Sequence, residues 1–278
     1  MQNFKFYLRF ILKIVILVLI SFLILVPLLF VLIGATHPSS WAFSLQINMM
    51  PGDRLAENYL QISEQMPIWN YLLNSLLVSS SSSMLSLVVL LAAAYVFSQF
   101  KIPFKGLLMP IIFTLAFLPL PSYLVGTVRV LQGMGLLSQF LGIILPFIIN
   151  IRIFYYLFNI LGSLPDSLLS AARLDGASEL QIFFRISIPL IVDKIFLSLF
   201  FLFINSWNSY LLPVIVMNDS KMFTLPIAIS SLADPMGYHI GSTFLGLLFS
   251  IIPIILLSLV LLPQVFKESE TRDPFYSK

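Results

Sequence analysis

Residues able to do chemistry are scarce in this chain, and those present suit recognition better than bond-making. Asn150, Arg152, Asn205, Trp207, Asn208 and Tyr210 stand inside or beside long apolar runs, where a polar group is costly and usually faces a protein interior or a water-filled path. Amide side chains hydrogen-bond hydroxyls and aromatic rings stack on the C–H faces of sugars, so this set suits a carbohydrate path. Interhelical hydrogen bonding accounts for Asn205 and Asn208 equally well. Arg152, a charge this deep, needs a counter-charge: an acid of another subunit or an anionic substrate. Catalytic constellations are missing. With no cysteine, and with its two histidines far apart at His37 and His239, the chain offers no thiolate or clustered metal site. It also holds no Gly-x-x-x-x-Gly-Lys-Ser/Thr phosphate loop and no nucleophile–base pair.

The elements that must position these residues follow from composition. Hydrophobic residues make up 59% and charged residues 10% of the 278, and the mean hydropathy is +1.01; soluble domains are about half apolar and a quarter charged. This predicts an all-α membrane protein, because backbone groups in lipid must be satisfied within the segment. Runs of about twenty apolar residues fall near 14–34, 70–97, 106–127, 138–160, 188–216 and 243–263, a polytopic bundle of six transmembrane helices in one domain, 1–278. The first run follows Lys5, Arg9 and Lys13 but is too long for a signal peptide. Pro110, Pro119 and Pro121 are expected to kink or interrupt the third span and Pro253 the sixth, while Ser79–Ser83 suits close helix packing.

Charge distribution sets the orientation. Lys5, Arg9 and Lys13, then Lys101 and Lys105, then Arg173, Arg185 and Lys194, and finally Lys267, Arg272 and Lys278 all fall on one side of the six spans. The other side holds Arg54, Arg129 and Lys221. The positive-inside rule therefore places both termini and the loop at 163–189 in the cytoplasm. The net charge of +3 calls for no nucleic-acid partner. Residues 36–69, with Trp41, Pro51 and Trp69, form the longest polar stretch outside, able to pack against a partner or to cap the bundle.

Between spans four and five lies a polar break, Ser170-Ala171-Ala172-Arg173-Leu174-Asp175-Gly176-Ala177-Ser178, followed by Phe183 and Pro189. Pro165 suits a helix first turn, with Ser163 able to cap it. Leu168, Leu169 and Ala172 share a face at helical spacing. Asp175-Gly176 should end that helix, since glycine takes the left-handed conformation freely, and Ser178 with Gln181 reads as a capping box opening another. So short a pair is marginal in water, so Leu180, Phe183 and Ile186 need a partner surface.

That stretch resembles the cytoplasmic EAA loop of ABC-importer permeases, in which Glu-Ala-Ala, a spacer, Asp-Gly-Ala, then Phe and Pro form a docking element for the ATPase. Ser170 stands where the family has glutamate; Ala171 to Pro189 keep the spacing. Asn74-Ser75-Leu76, Ala94-Tyr95, Phe97-Ser98, Trp207-Asn208, Thr224-Leu225-Pro226, Gln264 and Phe266 extend the likeness to carbohydrate-type permeases of the maltose or glycerol-phosphate kind, the shorter of the two permease partners. Such families often continue past the last span with a Gly-rich tail, and Lys267–Lys278 has no glycine.

The resemblance implies a multi-pass permease of the bacterial cytoplasmic membrane. It would pair with a second homologous permease, two copies of a cytoplasmic ATPase and an extracytoplasmic solute-binding protein. It would form half of the path for a sugar or oligosaccharide, or for glycerol-3-phosphate or a related anion. The chain would bind no cofactor, ATP being used by the ATPase. Ser170 to Ser178, with Phe183, would carry coupling, Asp175 and Gly176 shaping the turn. An ion-driven transporter is the rival, but such proteins need buried carboxylates mid-span, and the nearest, Asp193, sits at the start of span five.

The orientation is open to test because the chain lacks cysteine. Gln2→Cys and Ser269→Cys should be shielded from a membrane-impermeant thiol reagent in intact cells, and Ser63→Cys and Ser220→Cys labelled. Labelling of Ser269→Cys reverses the orientation.

Overall fold

The computed structural model describes residues 2–44, 48–232 and 239–272. Lys278 lies outside the described residues, as do the side chains of Lys5, Arg9, Phe266, Lys267 and Arg272. The described residues form helices and no strand: α1 (Gln2–Gly34), α2 (Leu55–Gln65), α3 (Ile68–Gln99), α4 (Lys105–Leu115), α5 (Leu120–Gly133), α6 (Phe140–Ile148), α7 (Ile151–Gly162), α8 (Asp166–Leu174), α9 (Glu179–Ile182), α10 (Ile188–Leu190), α11 (Val192–Trp207), α12 (Leu211–Val216), α13 (Leu225–Leu232) and α14 (Ile240–Arg272). A π-helical segment, Phe183–Ser187, joins α9 to α10.

Among the described residues, three helices are long and apolar enough to cross a membrane, within 10–34, 68–99 and 240–261. Three bent pairs bring the total to as many as six, in the places where the sequence predicts spans three, four and five. The bend in span three falls among the prolines expected to kink or interrupt it, whereas those in spans four and five depart from continuous runs. Span three folds through 99° between α4 and α5. Pro119 lacks an N–H and disfavours a helical residue before it, so α4 closes with tightened turns and α5 starts with Pro121 in its first turn. Pro110 and Pro253, by contrast, sit within continuous helices.

Span four breaks by 40° at Ile149–Asn150. Span five comes in three pieces. The chain turns 81° at Ile191, and α11 stops at Trp207 before α12 resumes at Leu211. Pro213 falls in the first turn of α12, where no donor is missed.

Contacts gather the chain into two compact units, Met1–Ile68 with Ala228–Ile252, and Trp69–Ile227 with Pro253–Lys278. In the first, the polar stretch after α1 folds into a cap. Asn58 Nδ2, buried, donates to the carbonyls of Ala35 at 2.8 Å and His37 at 2.9 Å. Trp41 packs against Phe30 and His37 with ring centroids 4.9 Å away in each case. Ser242 Oγ reaches Gln61 Oε1 at 3.1 Å.

The second unit holds two hydrophobic clusters. One gathers Leu90, Leu91, Ala94, Tyr95, Leu157, Leu161, Leu169, Ile182 and Phe183 around the 163–189 loop. The other gathers Val78, Leu124, Ile143, Leu212 and Val216. Between them runs the serine face of α3: Ser82 Oγ lies 2.8 Å from Ser206 Oγ of α11, and Ser86 Oγ donates to Ile148 O at 2.7 Å. Hydroxyls this small let helices approach closely, and Ser86 meets a carbonyl that the α6–α7 break would otherwise strand. Replacing Ser86 by Ala should cost about 1–3 kcal/mol by leaving that buried carbonyl unpaired. Ser80→Ala on the exposed side of α3 should stay within about 0.5 kcal/mol. Thermal unfolding of the solubilised protein measures both.

Candidate functional site

The turn between α8 and α9 is built from two complementary terminators. Asp175 caps α8, and Gly176 takes φ +81°, the left-handed region. The Ala177 N–H then donates to Ala172 O at 3.0 Å and the Gly176 N–H to Arg173 O at 3.1 Å, a Schellman pattern that satisfies orphan carbonyls. Immediately afterwards Ser178 Oγ accepts from the Gln181 N–H at 3.3 Å while Gln181 Oε1 accepts from the Ser178 N–H at 2.8 Å, the capping box read from the sequence. The α8 start differs from expectation. Pro165 precedes the helix as its N-cap residue and Ser163 closes α7 instead, its hydroxyl donating to Ile160 O at 2.8 Å.

Below the turn, Leu169, Ile182 and Phe183 are buried and Ala172 and Ala177 pack on the same cluster. Leu168 does not join them; it is exposed. Ser170, Ala171, Arg173, Asp175, Gly176 and Ser178 face outward, and Leu174 at the tip is 89% exposed, with Leu180 70% exposed beside it. Two leucines held open on a rigid, otherwise polar turn form a surface suited to a partner.

Glu179, which the sequence reading passed over, and Tyr95, until now only part of the family likeness, complete the arrangement. Glu179 Oε1 accepts from Arg173 Nε at 2.7 Å, bridging the turn, and Glu179 Oε2 accepts from the Tyr95 hydroxyl at 2.8 Å. Tyr95 lies near the end of α3, its ring 4.9 Å from that of Phe183. The Arg173 hydrogen bond holds the Glu179 carboxyl below its ordinary value against the opposing effect of burial, with the Tyr95 bond adding to the lowering. A lowered carboxyl contributes stability above its unfolded pKa and loses it as pH falls through the folded one, so the bridge is intact at neutral pH. The signal in the sequence was an acid six residues after Arg173, legible only once the turn brings the two together.

The span residues separate. Asn150 caps α7, its side-chain oxygen accepting from the Ile153 N–H at 3.2 Å. Trp207 is 1% exposed and stacks on Phe203 with centroids 5.5 Å apart, which makes it a packing anchor. Asn205, Asn208 and Tyr210 are exposed at the end of α11, and Arg152 is exposed near the start of α7. Among the described residues no group of histidine, aspartate and glutamate is placed to hold a metal.

Gly176 separates backbone demand from space, because a Cβ there would meet nothing within 4 Å. Gly176→Ala should cost the turn about 1–2 kcal/mol through its left-handed backbone alone, and Gly176→Asn markedly less, since asparagine visits that region. Tryptic cleavage at Arg173 in the folded protein should rise in the first variant and change little in the second.

Residues 86–265 match the family of binding-protein-dependent transport system inner membrane components. The chain is 30% identical over 245 residues, 87% of each chain, to the arabinooligosaccharides transport system permease protein AraQ of Bacillus subtilis. It is 28% identical over 246 residues, 86% of this chain and 88% of the other, to the sn-glycerol-3-phosphate transport system permease protein UgpE of Escherichia coli. Its fold matches, with TM-score 0.77 and 21% identity over 92% of this chain and 96% of the other, a chain in the crystal structure of a bacterial ABC transporter involved in the import of the acidic polysaccharide alginate. By the extent of the family match and the similarity to AraQ, the chain belongs to the family of inner membrane components of binding-protein-dependent transport systems.

Proposed function

We propose that the chain is one permease half of an ABC importer for a sugar or oligosaccharide, coupled through the Ala171–Ser178 turn to a separate ATPase. The observation that carries this reading is the turn itself: doubly capped, with Leu174 and Leu180 presented to a partner. Both termini and this turn lie in the cytoplasm, two ATPase copies engage this permease and its homologous partner, and a solute-binding protein delivers substrate from outside. ATP is bound and hydrolysed by the ATPase alone. The exposed face of α1, none of whose apolar window is buried within the chain, is available to lipid or to the second permease.

Asn205, Asn208 and Tyr210 line this chain's half of the path, and Arg152 stands near it. The similarity to an arabinooligosaccharide permease supports a neutral sugar. The similarity to a glycerol-3-phosphate permease supports the second reading, in which Arg152 meets an anion. An ion-driven mechanism is weaker: Asp193, 2% exposed, is the buried acid among the described residues, and it pairs with Lys194.

In the assembled complex, Asp175→Lys or Gly176→Pro should abolish ATPase co-purification and uptake while leaving membrane insertion intact. Normal co-purification and uptake in both would sink the assignment. Uptake of arabino-oligosaccharides and of glycerol-3-phosphate separates the substrate readings: Arg152→Gln should leave the first unchanged per assembled complex and reduce the second at least tenfold, about 1.4 kcal/mol.

A further inference from the structure

We infer that Glu179 is a positioning residue for coupling, tying the Ala171–Ser178 turn to α3 because its carboxylate accepts from Arg173, through Nε at Oε1 and more weakly through Nη2 at Oε2, and from the Tyr95 hydroxyl at Oε2. The inference rests on the coupling role proposed above and assigns it a second route. Motion of the turn reaches α11 along the chain through the π-helical segment and α10, but that path passes the 81° bend at Ile191. Through Glu179 it reaches α3 directly, at a residue 5% exposed and packed on Phe183.

The contact at Tyr95 lies where a buried cluster borders an open groove. Val88, Leu91, Val96, Phe100, Leu180 and Phe184 help line an apolar groove of about 360 Å³ between α3 and the segment 179–188, while Ile182 and Phe183 pack on Leu91, Ala94 and Tyr95 beside it. The polar bond adds a directional contact at the groove's edge to that packing. The ion pair alone is worth little, since exposed pairs contribute about 0–1 kcal/mol; its value lies in aiming the carboxylate at both elements. From Tyr95, α3 is a single helix to Ser82, about 20 Å away at 1.5 Å per residue, where Ser82 Oγ meets Ser206 Oγ of α11 at 2.8 Å. Ser206 stands between Asn205 and Trp207. A continuous series of contacts thus joins the turn to the proposed path, and a route of this kind has to be shown by measured coupling.

The experiment uses the complete complex in proteoliposomes, with spin labels at Ser167→Cys on α8 and Lys101→Cys just beyond α3. Pulsed electron-spin distances are recorded without nucleotide and with ATP plus vanadate, alongside ATP hydrolysis. ATP should leave this distance distribution unchanged, because the tie makes the turn and α3 move together. Tyr95→Phe, which keeps the ring but removes the hydroxyl, and Glu179→Gln, which keeps the shape but removes the charge, should retain the ATPase yet lose that constancy, the population ratio of the distance distribution changing about 2- to 30-fold with ATP. Leu161→Ala, in the same cluster, should lower the melting temperature without that loss. If both Tyr95→Phe and Glu179→Gln hold the distance as the unsubstituted complex does, Glu179 has no positioning role. Gly176→Pro keeps the two ideas apart: loss of the ATPase in that variant leaves the coupling reading standing whatever the Glu179 variants do, and its retention removes the reading.

Discussion

A peptide group stranded in hydrocarbon costs several kcal/mol, yet this chain interrupts its helices near 116–119, 149–150, 191 and 208–210. Each interruption frees carbonyls and N–H groups; near 116–119, 191 and 208–210 tightened backbone bonds such as Leu118 N–H to Leu115 O and Ser209 N–H to Ser206 O take up part of them, and at 149–150 and at the helix ends polar side chains do. Ser86 takes Ile148 O, Asn150 takes the Ile153 N–H, and Gln99 donates to Leu161 O at 2.8 Å. The stretches Asn74-Ser75 and Thr224-Leu225, distant in sequence, are paired on the same principle. Asn74 Nδ2 donates to Phe223 O at 3.0 Å and Ser75 Oγ accepts from the Leu225 N–H at 2.7 Å. Backbone turns and, at 149–150, specific side chains together stand in for the missing ladder.

The turn at 173–178 obeys the same rule by opposite means. Exposed on its outer face, it could have left its groups to solvent, but a Schellman pattern and a capping box satisfy them internally within the stretch from Ala172 to Gln181. Each such device is worth about 1 kcal/mol. Their combined effect is rigidity: a partner that binds Leu174 meets a surface already ordered, and the entropy of fixing the loop is not charged to the complex.

What could be read from residues and what could not divides along local and non-local lines. The caps at Gly176 and Ser178 were legible because each depends on neighbours within four positions, and spans one, two and six because an unbroken apolar run needs no context. The bends were not. Pro119 and Pro110 look alike in sequence, but the first ends a helix and the second is accommodated within one. Asn150 suggested recognition and is used as a cap, since its role depends on a break in α6–α7 that the apolar pattern conceals. Trp207 suggested stacking on a sugar and is buried on Phe203. The bond between Tyr95 and Glu179 was not readable because it joins positions 84 residues apart.

Trp207 nevertheless bears on the proposed path. Asn205 and Asn208 are three residues apart, and with Phe201 they fall on one face of α11 at helical spacing. Ser206 and Trp207, facing the other way, are buried, the serine against Ser82 and the indole against Phe203. A helix end is free to rotate unless something large is fixed on one side, and a buried indole beside a small hydroxyl contact fixes it closely. The rotation that seats Trp207 is the one that leaves Asn205 and Asn208 open. The tryptophan thus fixes which way the amides on either side of it point, and the serine face of α3 lets α11 come near enough for that seat to exist.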